Sequence, residues 1–231
     1  MLRLIKTLSL GICLTSSFAF AGKSVTTGVG GICDRTEDVQ VQIMKELGIH
    51  NCADVTKEDL TRVTGLWFCY LYGNLKHDKT RMTALKVNDF AGLYNLKSLD
   101  IEFSEIAVLD KEMFKDLRSL EIFDLSHNYI QTLPEDLFAH NKNLKHIEFD
   151  SNIYFSMGTL PEKFFYGLTK LEGVDLDELK IKYLPKNIFQ TNLYLNSIDL
   201  KGNQLTNIDG LFDHLKYLKN LQLMGNPVYK K

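Results

Sequence analysis

The sequence predicts an α/β fold: a solenoid of repeated strand-and-return units behind a short helical amino-terminal cap. The first observation is a unit of about 24 residues, typified by Leu120–Leu144, in which alternating apolar residues precede a Leu-Pro turn and a Leu-Phe pair. The second is that this unit recurs along most of the chain. A unit of this size cannot bury its own apolar edge, so the copies are expected to stack on one another.

Seven short strands are predicted, because each unit begins with two apolar residues separated by one outward-facing residue. The predicted core pairs are Leu66/Phe68, Leu99/Ile101, Phe123/Leu125, Ile147/Phe149, Val174/Leu176, Ile198/Leu200 and Leu221/Leu223. The return segments each carry an aromatic residue, at Phe90, Phe114, Phe138, Phe164 or Phe165, Phe189 and Phe212. Seven strands on one period indicate a single repeat array.

Residues 1–21 are predicted to be a secretory signal peptide. Arg3 and Lys6 precede a mostly apolar run, and Ala19-Phe20-Ala21 has the small-residue pattern of a cleavage site. The apolar run is too short to span a bilayer, so no membrane anchor is expected. The chain is therefore expected to be exported, either to the periplasm or to the cell surface and exterior.

Residues 22–60 are predicted to form the cap, ahead of a solenoid over residues 61–231. The apolar residues of a first helix recur at helical spacing, at Val39, Ile43, Met44 and Leu47. Thr36 and Gly48 are its candidate caps. A second helical segment contains a capping-box pattern, formed by Thr56 and Asp59. Two such helices would cover the apolar edge of the first repeat.

The cysteines predict one disulfide bond. Cleavage of the signal removes Cys13 and leaves Cys33, Cys52 and Cys69, and an oxidising compartment favours one disulfide and one remaining thiol. Cys33 and Cys52 are the predicted pair, because they bracket the first cap helix whereas Cys69 falls within a strand pattern. No CxxC or paired-histidine spacing accompanies them, so no metal site is predicted.

The repeat pattern L-x-x-L-x-L-x-x-N-x-L-x-x-L-P-x-x-x-F-x-x-L resembles the typical leucine-rich repeat and covers Leu60 to Pro227. The segment CDRT with its partner NCADVTKEDL resembles the amino-terminal cap of exported bacterial leucine-rich repeat proteins. The resemblance implies a leucine-rich repeat solenoid, with a right-handed arc and a parallel sheet of about seven strands on its concave side. Short helices or extended returns are expected on the outside.

Departures from the repeat pattern are informative. The asparagine whose side chain bonds to backbone inside such a solenoid is present at Asn128, Asn152, Asn203 and Asn226. It is replaced by Ser104 in one unit and by Leu179 in another, and Leu179 is expected to pack rather than bond. Two units are longer than the others, through Tyr70–Met82 and Tyr154–Thr159, and these insertions are expected to form loops.

Carboxylates dominate the predicted concave face, since residues between core positions point there. The predicted partner-binding residues are Asp100, Glu102, Asp124, Glu148, Asp150, Asp175, Asp177 and Asp199. One interpretation is an acidic groove that attracts a basic protein or peptide. The other is a solvated face that keeps the sheet soluble. We retain both, with the groove as the leading hypothesis.

Aromatic residues near the two long loops support a second hypothesis. They are Trp67, Tyr70, Tyr72, Phe103, Tyr154 and Phe155. They could anchor a partner, in which case the chain would be an adhesive surface protein that recognises glycans or the cell envelope. The alternative is that they pack beneath the loops.

No feature of the sequence supports catalysis or a cofactor. Nucleophile-elbow, zinc-protease and phosphate-loop motifs are absent, and His127, His146 and Ser126 are not expected to form a hydrolytic site. The formal net charge of −2 provides no basic stripe for nucleic acid. The carboxyl end has no second cysteine-bearing cap, so association of two copies there is a further hypothesis.

Overall fold

The structure is a computed structural model that describes residues 31–68 and 81–230. Seven strands form one parallel sheet in chain order. They are β1 Gly65–Trp67, β2 Ser98–Asp100, β3 Ile122–Asp124, β4 His146–Glu148, β5 Gly173–Asp175, β6 Ser197–Asp199 and β7 Asn220–Gln222. Equivalent residues of successive strands pair in register. The predicted solenoid and its strands are confirmed.

The cap contains two α-helices, α1 at Glu37–Leu47 and α2 at Lys57–Leu60. The buried residues of α1 are the predicted ones, Val39, Ile43, Met44 and Leu47. α1 ends where Gly48 adopts a left-handed φ of 68°, a conformation that glycine reaches without a Cβ clash. α2 begins with the predicted capping box, in which Thr56 and Asp59 exchange side chain–backbone hydrogen bonds.

The predicted disulfide between Cys33 and Cys52 is present, with the two Cα atoms 5.3 Å apart. It joins two 3-10 turns, Ile32–Asp34 and Cys52–Asp54, that flank α1. The bond thereby closes the cap into one unit across its first helix.

A buried polar contact, the Arg35–Asp89 clamp, joins the cap to the return before β2. Arg35 is 4% exposed, and its guanidinium donates to the carbonyl oxygens of Asp89, at 2.6 Å, and of Ala91. The Asp89 carboxylate accepts from the backbone N–H and the hydroxyl of Thr36, at 2.7 and 2.6 Å. Thr36 thus holds the predicted N-cap position of α1, but its hydroxyl bonds to Asp89 instead of to the helix.

The returns between strands consist of turns, and the described residues contain no regular helix there. Short helices and extended returns were the two expected forms, and the described returns are of the second, non-helical form. Their phenylalanines fill the core: the Phe123 ring lies edge-on to those of Phe114 and Phe138, with centroids 4.9 and 5.2 Å apart. The Phe138 ring also packs against the Phe164 ring of the next return, with centroids 5.3 Å apart. These aromatic contacts couple each repeat to its neighbours.

The predicted asparagines form a buried asparagine ladder, consisting of Asn128, Asn152, Asn203 and Asn226. At Asn152 the amide nitrogen donates to the carbonyl oxygens of Leu125 and Phe149, at 3.0 and 2.8 Å. Its Oδ1 accepts the N–H of Ile130 at 3.0 Å. Buried backbone groups that the short strands leave unpaired are satisfied in this way.

The two interruptions of the ladder differ. Leu179 is 1% exposed and packs in the core as expected, whereas the buried Ser104 hydroxyl has no hydrogen-bond partner within the described part of the chain. A second buried pair, Asn141 and Asn192, was not predicted. Each donates to two carbonyl oxygens of the preceding return. Its signal in the sequence is an asparagine three residues after the return phenylalanine, where other repeats have leucine.

Several predictions lie outside the described residues: the signal peptide, Cys69, Tyr70 and Tyr72, and residues 69–80 of the first long loop. The proposed domain boundaries stay predictions. Within residues 31–68 and 81–230, no helix has the length and apolar character needed to cross a membrane.

Candidate functional site

The predicted carboxylates line up across the sheet. Trp67, Asp100, Asp124, Glu148, Asp175, Asp199 and Gln222 are the paired last residues of β1 to β7. We name the five acids among them the first acid column. The second acid column, two residues further along each chain segment, comprises Glu102, Asp150 and Asp177. Neighbouring carboxylates of the first column are therefore separated by about one strand spacing, roughly 4.8 Å.

The first acid column has a structural role in addition to its charge. In four of its members, one carboxylate oxygen accepts the backbone N–H two residues further on. The donors to Asp100, Asp124, Asp175 and Asp199 are Glu102, Ser126, Asp177 and Lys201, at 3.2, 2.8, 3.3 and 3.0 Å. An aspartate side chain has the right length for this turn, which explains the residue type.

Burial distinguishes this face from an ordinary solvated one. Asp124 and Asp199 are each 8% exposed, and Glu148 is 3% exposed. Within the second column Asp150 is 5% exposed, and its Oδ1 has no hydrogen-bond partner among the described residues. Charged side chains are seldom buried to this degree unless they are paired, so Asp150 is the most under-satisfied acid on the face.

Two basic side chains in the described part of the chain, Lys201 and His127, contact acids of these columns. The Lys201 ammonium lies 2.7 Å from Asp199 Oδ2 and 3.8 Å from Asp177 Oδ2. His127 Nε2 lies 3.7 Å from Asp150 Oδ2, and the His127 ring stacks on Phe103 with centroids 4.3 Å apart. Basic side chains of the protein thus already lie against acids of both columns, so this face accommodates cationic groups.

Crowding and burial shift the carboxyl pKa values upward. Burial, followed by repulsion from Asp150, Asp177 and Asp199, raises the pKa of Asp175 to about 7. The pKa of Asp177 rises to about 6, again chiefly through burial and then through neighbouring carboxylates. Burial and the charge of Asp100 likewise raise the pKa of Asp124. A ligand cation would relieve this repulsion, because an opposite charge favours the ionised form.

The cluster of Asp175, Asp177 and Asp199 also brings its carboxylate oxygens within 4.8 Å of one another. Oxygen donors of this kind suit hard cations such as Ca²⁺. The Lys201 ammonium already lies against two of the three carboxylates. The cluster alone therefore does not identify a metal site, and an ammonium is the cation that its geometry already accommodates.

A third column on the same face was missed by sequence reasoning. It consists of the first strand residues, Gly65, Ser98, Ile122, His146, Gly173, Ser197 and Asn220. Its two glycines matter, because a Cβ on Gly65 would lie 2.0 Å from the Trp67 ring and one on Gly173 would lie 2.9 Å from His146 Nδ1. The missing side chains let these two rings lie against the sheet. Burial lowers the pKa of His146, which favours its neutral form.

The predicted aromatic anchors separate into different environments. Trp67 and Tyr154 are 39% and 54% exposed, and Tyr154 packs edge-on against Tyr129 at 4.9 Å. Phe103 is half-buried against His127. Phe155 is 2% exposed and belongs to the core, so its interpretation as an anchor is wrong and packing under the loop is the correct alternative. Tyr70 and Tyr72 lie outside the described residues.

Comparisons with known proteins agree with this architecture. The family described as "Leucine rich repeat" matches residues 82–153 and 169–228. Tsukushi of Gallus gallus is 32% identical over 142 residues, covering 60% of this chain and 37% of that protein. Fibromodulin of Homo sapiens is 34% identical over 143 residues, covering 61% of this chain and 35% of that protein. The chain thus spans about a third of the length of these relatives.

Solved structures show the same fold. The structure of the Toll–Spatzle complex of Drosophila has a TM-score of 0.51 at 26% identity, covering 70% of this chain and 23% of that one. An internalin from Listeria monocytogenes has a TM-score of 0.56 at 18% identity, covering 82% and 56%. With the family match over more than half of its length, the chain belongs to the leucine-rich repeat proteins.

Proposed function

We propose that this chain is a non-catalytic interaction module whose concave acidic face binds a basic protein or peptide. The observation that carries the proposal is the position of Lys201, whose ammonium lies between Asp177 and Asp199. The same face offers Asp150, with one buried oxygen unpaired within the described chain, and Asp124 and Asp175 with raised pKa values. Lysine or arginine side chains of a partner would relieve the repulsion among these crowded carboxylates.

Export of the chain is part of the same proposal. The Cys33–Cys52 disulfide supports it, because disulfides persist in oxidising compartments. The Toll–Spatzle complex offers a precedent for a repeat protein of this fold that is engaged by another protein. A bacterial source, periplasmic location and association of two copies at the carboxyl end stay predictions.

An adhesive role through the aromatic residues is the second candidate. The exposed rings of Trp67 and Tyr154 favour it, whereas the burial of Phe155 removes one of its predicted contacts. Under this alternative, Trp67→Ala with Tyr154→Ala would abolish attachment to cell envelopes, and neutralisation of the acid columns would leave it intact.

The leading proposal is tested with a fluorescent octalysine peptide, titrated in low salt and followed by fluorescence anisotropy. The test variant carries Asp124→Asn, Asp175→Asn and Asp177→Asn. The control carries Glu135→Gln, Asp136→Asn and Glu162→Gln, which removes the same charge from exposed return positions. We expect the test variant to bind about tenfold more weakly and the control to bind nearly as the parent does.

The pH dependence adds a second signature to this titration. Because carboxyl groups with raised pKa values ionise between about pH 6 and 7, binding of the peptide should strengthen as the pH rises through that range. Equal weakening by the test and control variants, or binding that does not change with pH, would contradict the proposal.

A further inference from the structure

A second surface feature lies away from the acid columns, at the edge of the sheet where β4 to β7 begin. This amino-edge groove has a volume of about 510 Å³. The lining residues that matter here are Lys145, Lys170, Glu172, Tyr194, Tyr217 and Lys219. Its size falls within the range of small-ligand sites, and it shares no residue with the two acid columns.

The tyrosines of the groove depart from the chemistry of the repeat. Tyr194 and Tyr217 both directly precede the leucine that opens a unit, where earlier units have Asn95, Ser119, Asn143 and Lys170. The two rings lie nearly parallel, 18° apart, with centroids separated by 5.7 Å. They are 60% and 57% exposed, so the pair contributes little to the core and leaves aromatic surface open to a ligand.

The charge of the groove is opposite to that of the concave face. Three lysines and one glutamate line it. The Lys145 ammonium is held by Glu121 at 2.6 Å, which raises the pKa of Lys145, and the Lys170 ammonium donates to Asn143 Oδ1 at 2.6 Å. Lys219 makes no ion pair with any residue in the described ranges. Positive charge thus surrounds an aromatic surface in a chain whose net charge is −2.

We infer that the amino-edge groove binds an acidic oligosaccharide, of the sulfated or uronate-bearing class. The face of an aromatic ring is negative and attracts the C–H groups that cover the flat side of a sugar ring. Sulfate or carboxylate groups on the same saccharide would pair with the lysine ammonium groups. Tyrosines in successive repeats would then contact successive sugar units.

The row of residues that directly precede the strands argues against a nucleic acid. Single-stranded nucleic acid also stacks on aromatic side chains, but it needs a continuous positive track for its phosphates. Here Lys97, Glu121, Lys145 and Glu172 alternate in sign along successive repeats, and Glu121 is bound to Lys145. Asn196 and Lys219 complete the row, so a phosphate track along it would be interrupted by Glu121, Glu172 and a neutral residue, whereas a short saccharide needs only the lysines beside the two tyrosines.

The inference is tested by calorimetric titration of the full chain with a heparin-derived hexasaccharide. One variant carries Tyr194→Ala and Tyr217→Ala, and a second carries Lys170→Gln and Lys219→Gln. The matched control carries Tyr183→Ala and Lys186→Gln, both at exposed positions outside the groove. We expect each groove variant to weaken binding about tenfold and the control to leave it unchanged. Circular dichroism verifies that all three fold.

Three further probes decide the class of ligand. A desulfated, carboxyl-reduced hexasaccharide should bind at least about tenfold more weakly than the parent saccharide, because it lacks the charges that pair with lysine. An oligothymidylate or an oligoglutamate that binds as well as the hexasaccharide would overturn the inference. So would failure of the hexasaccharide to bind, or equal loss in the control variant. None of these outcomes affects the octalysine test of the concave face.

Discussion

The asparagine ladder and the acid columns are both rows of polar side chains along the same solenoid, buried in the ladder and buried or half-buried in the columns. In the ladder, the protein supplies the partners: Asn152 donates to three backbone carbonyl oxygens and accepts one backbone N–H. In the acid columns the protein supplies only some of the hydrogen-bonding partners. Asp175 accepts one backbone N–H, but its charge lies beside three other carboxylates. The repeated asparagines, whose hydrogen bonds are made within the fold, stabilise the arc. The repeated carboxylates repel one another and can therefore bind a cationic group of another molecule.

The largest change in stability is expected from a substitution in the asparagine ladder. Asn152→Ala removes four hydrogen bonds and leaves the Ile130 N–H and the Phe149 carbonyl oxygen without their amide partner. We expect the free energy of unfolding, measured with urea, to fall by about 3 kcal/mol. Asn187→Ala, at an exposed return position, is the control and should stay within about 0.5 kcal/mol of the parent. Similar losses in both variants would break the comparison.

A smaller change of opposite sign, a gain in stability, is expected from a substitution in the first acid column. Asp175→Asn keeps the oxygen that accepts the Asp177 N–H and removes the repelled charge. Because the folded-state pKa of Asp175 is about 7 and not its ordinary value of 3.8, folding takes up protons between these pH values, and the parent loses stability as the pH rises through that window.

The Asp175→Asn variant has no carboxyl group at this position, so it does not lose stability in this way as the pH rises. After allowance for solvent screening, we expect it to be more stable than the parent by about 1 kcal/mol near pH 8, a rise of about 2–4 °C in Tm. The gain should shrink as the pH falls toward about 4, where the parent carboxyl is protonated. Thermal unfolding across this range measures both quantities, and a gain that is independent of pH would show that charge is not its cause.

The smallest effect tests whether the ladder can be extended. Ser104 occupies a ladder position, and its buried hydroxyl lacks a partner among the described residues. Ser104→Asn introduces an amide with the donors and acceptor that the other ladder positions use, so the free energy of unfolding should rise by about 1 kcal/mol. Ser119→Asn, at a half-buried position outside the ladder, serves as the comparison. A loss of stability at residue 104 would mean that the site has no room for the longer side chain.

Much of the fold could be predicted because its signals lie within one repeat. The alternation at Phe123 and Leu125 and the asparagine at Asn128 are local patterns, and each recurs at nearly constant spacing. The Cys33–Cys52 pair followed from its position around one helix. These features depend on residues that are close in sequence, so no knowledge of neighbouring repeats was required.

The details of the candidate site depend on contacts between repeats. The alignment of Asp100 and Asp124 follows from the period, but the burial of Asp150 and the shifted pKa of Asp175 depend on side chains of adjacent strands. The burial of Phe155 was likewise ambiguous, because an aromatic residue in a loop can face either the core or water. Glycines such as Gly173 matter only because a ring from the preceding strand covers them.

The Arg35–Asp89 clamp gives the two ends of the arc unequal resistance to opening. At the amino end, the cap and the return before β2 share buried hydrogen bonds, so neither can detach without exposing the charges of both. At the carboxyl end, Leu221 and Leu223 are only partly buried, and the 3-10 turn Pro227–Lys230 follows them. In a linear array, where stability passes between neighbours, we therefore expect the described repeats to open more readily at β7 than at β1.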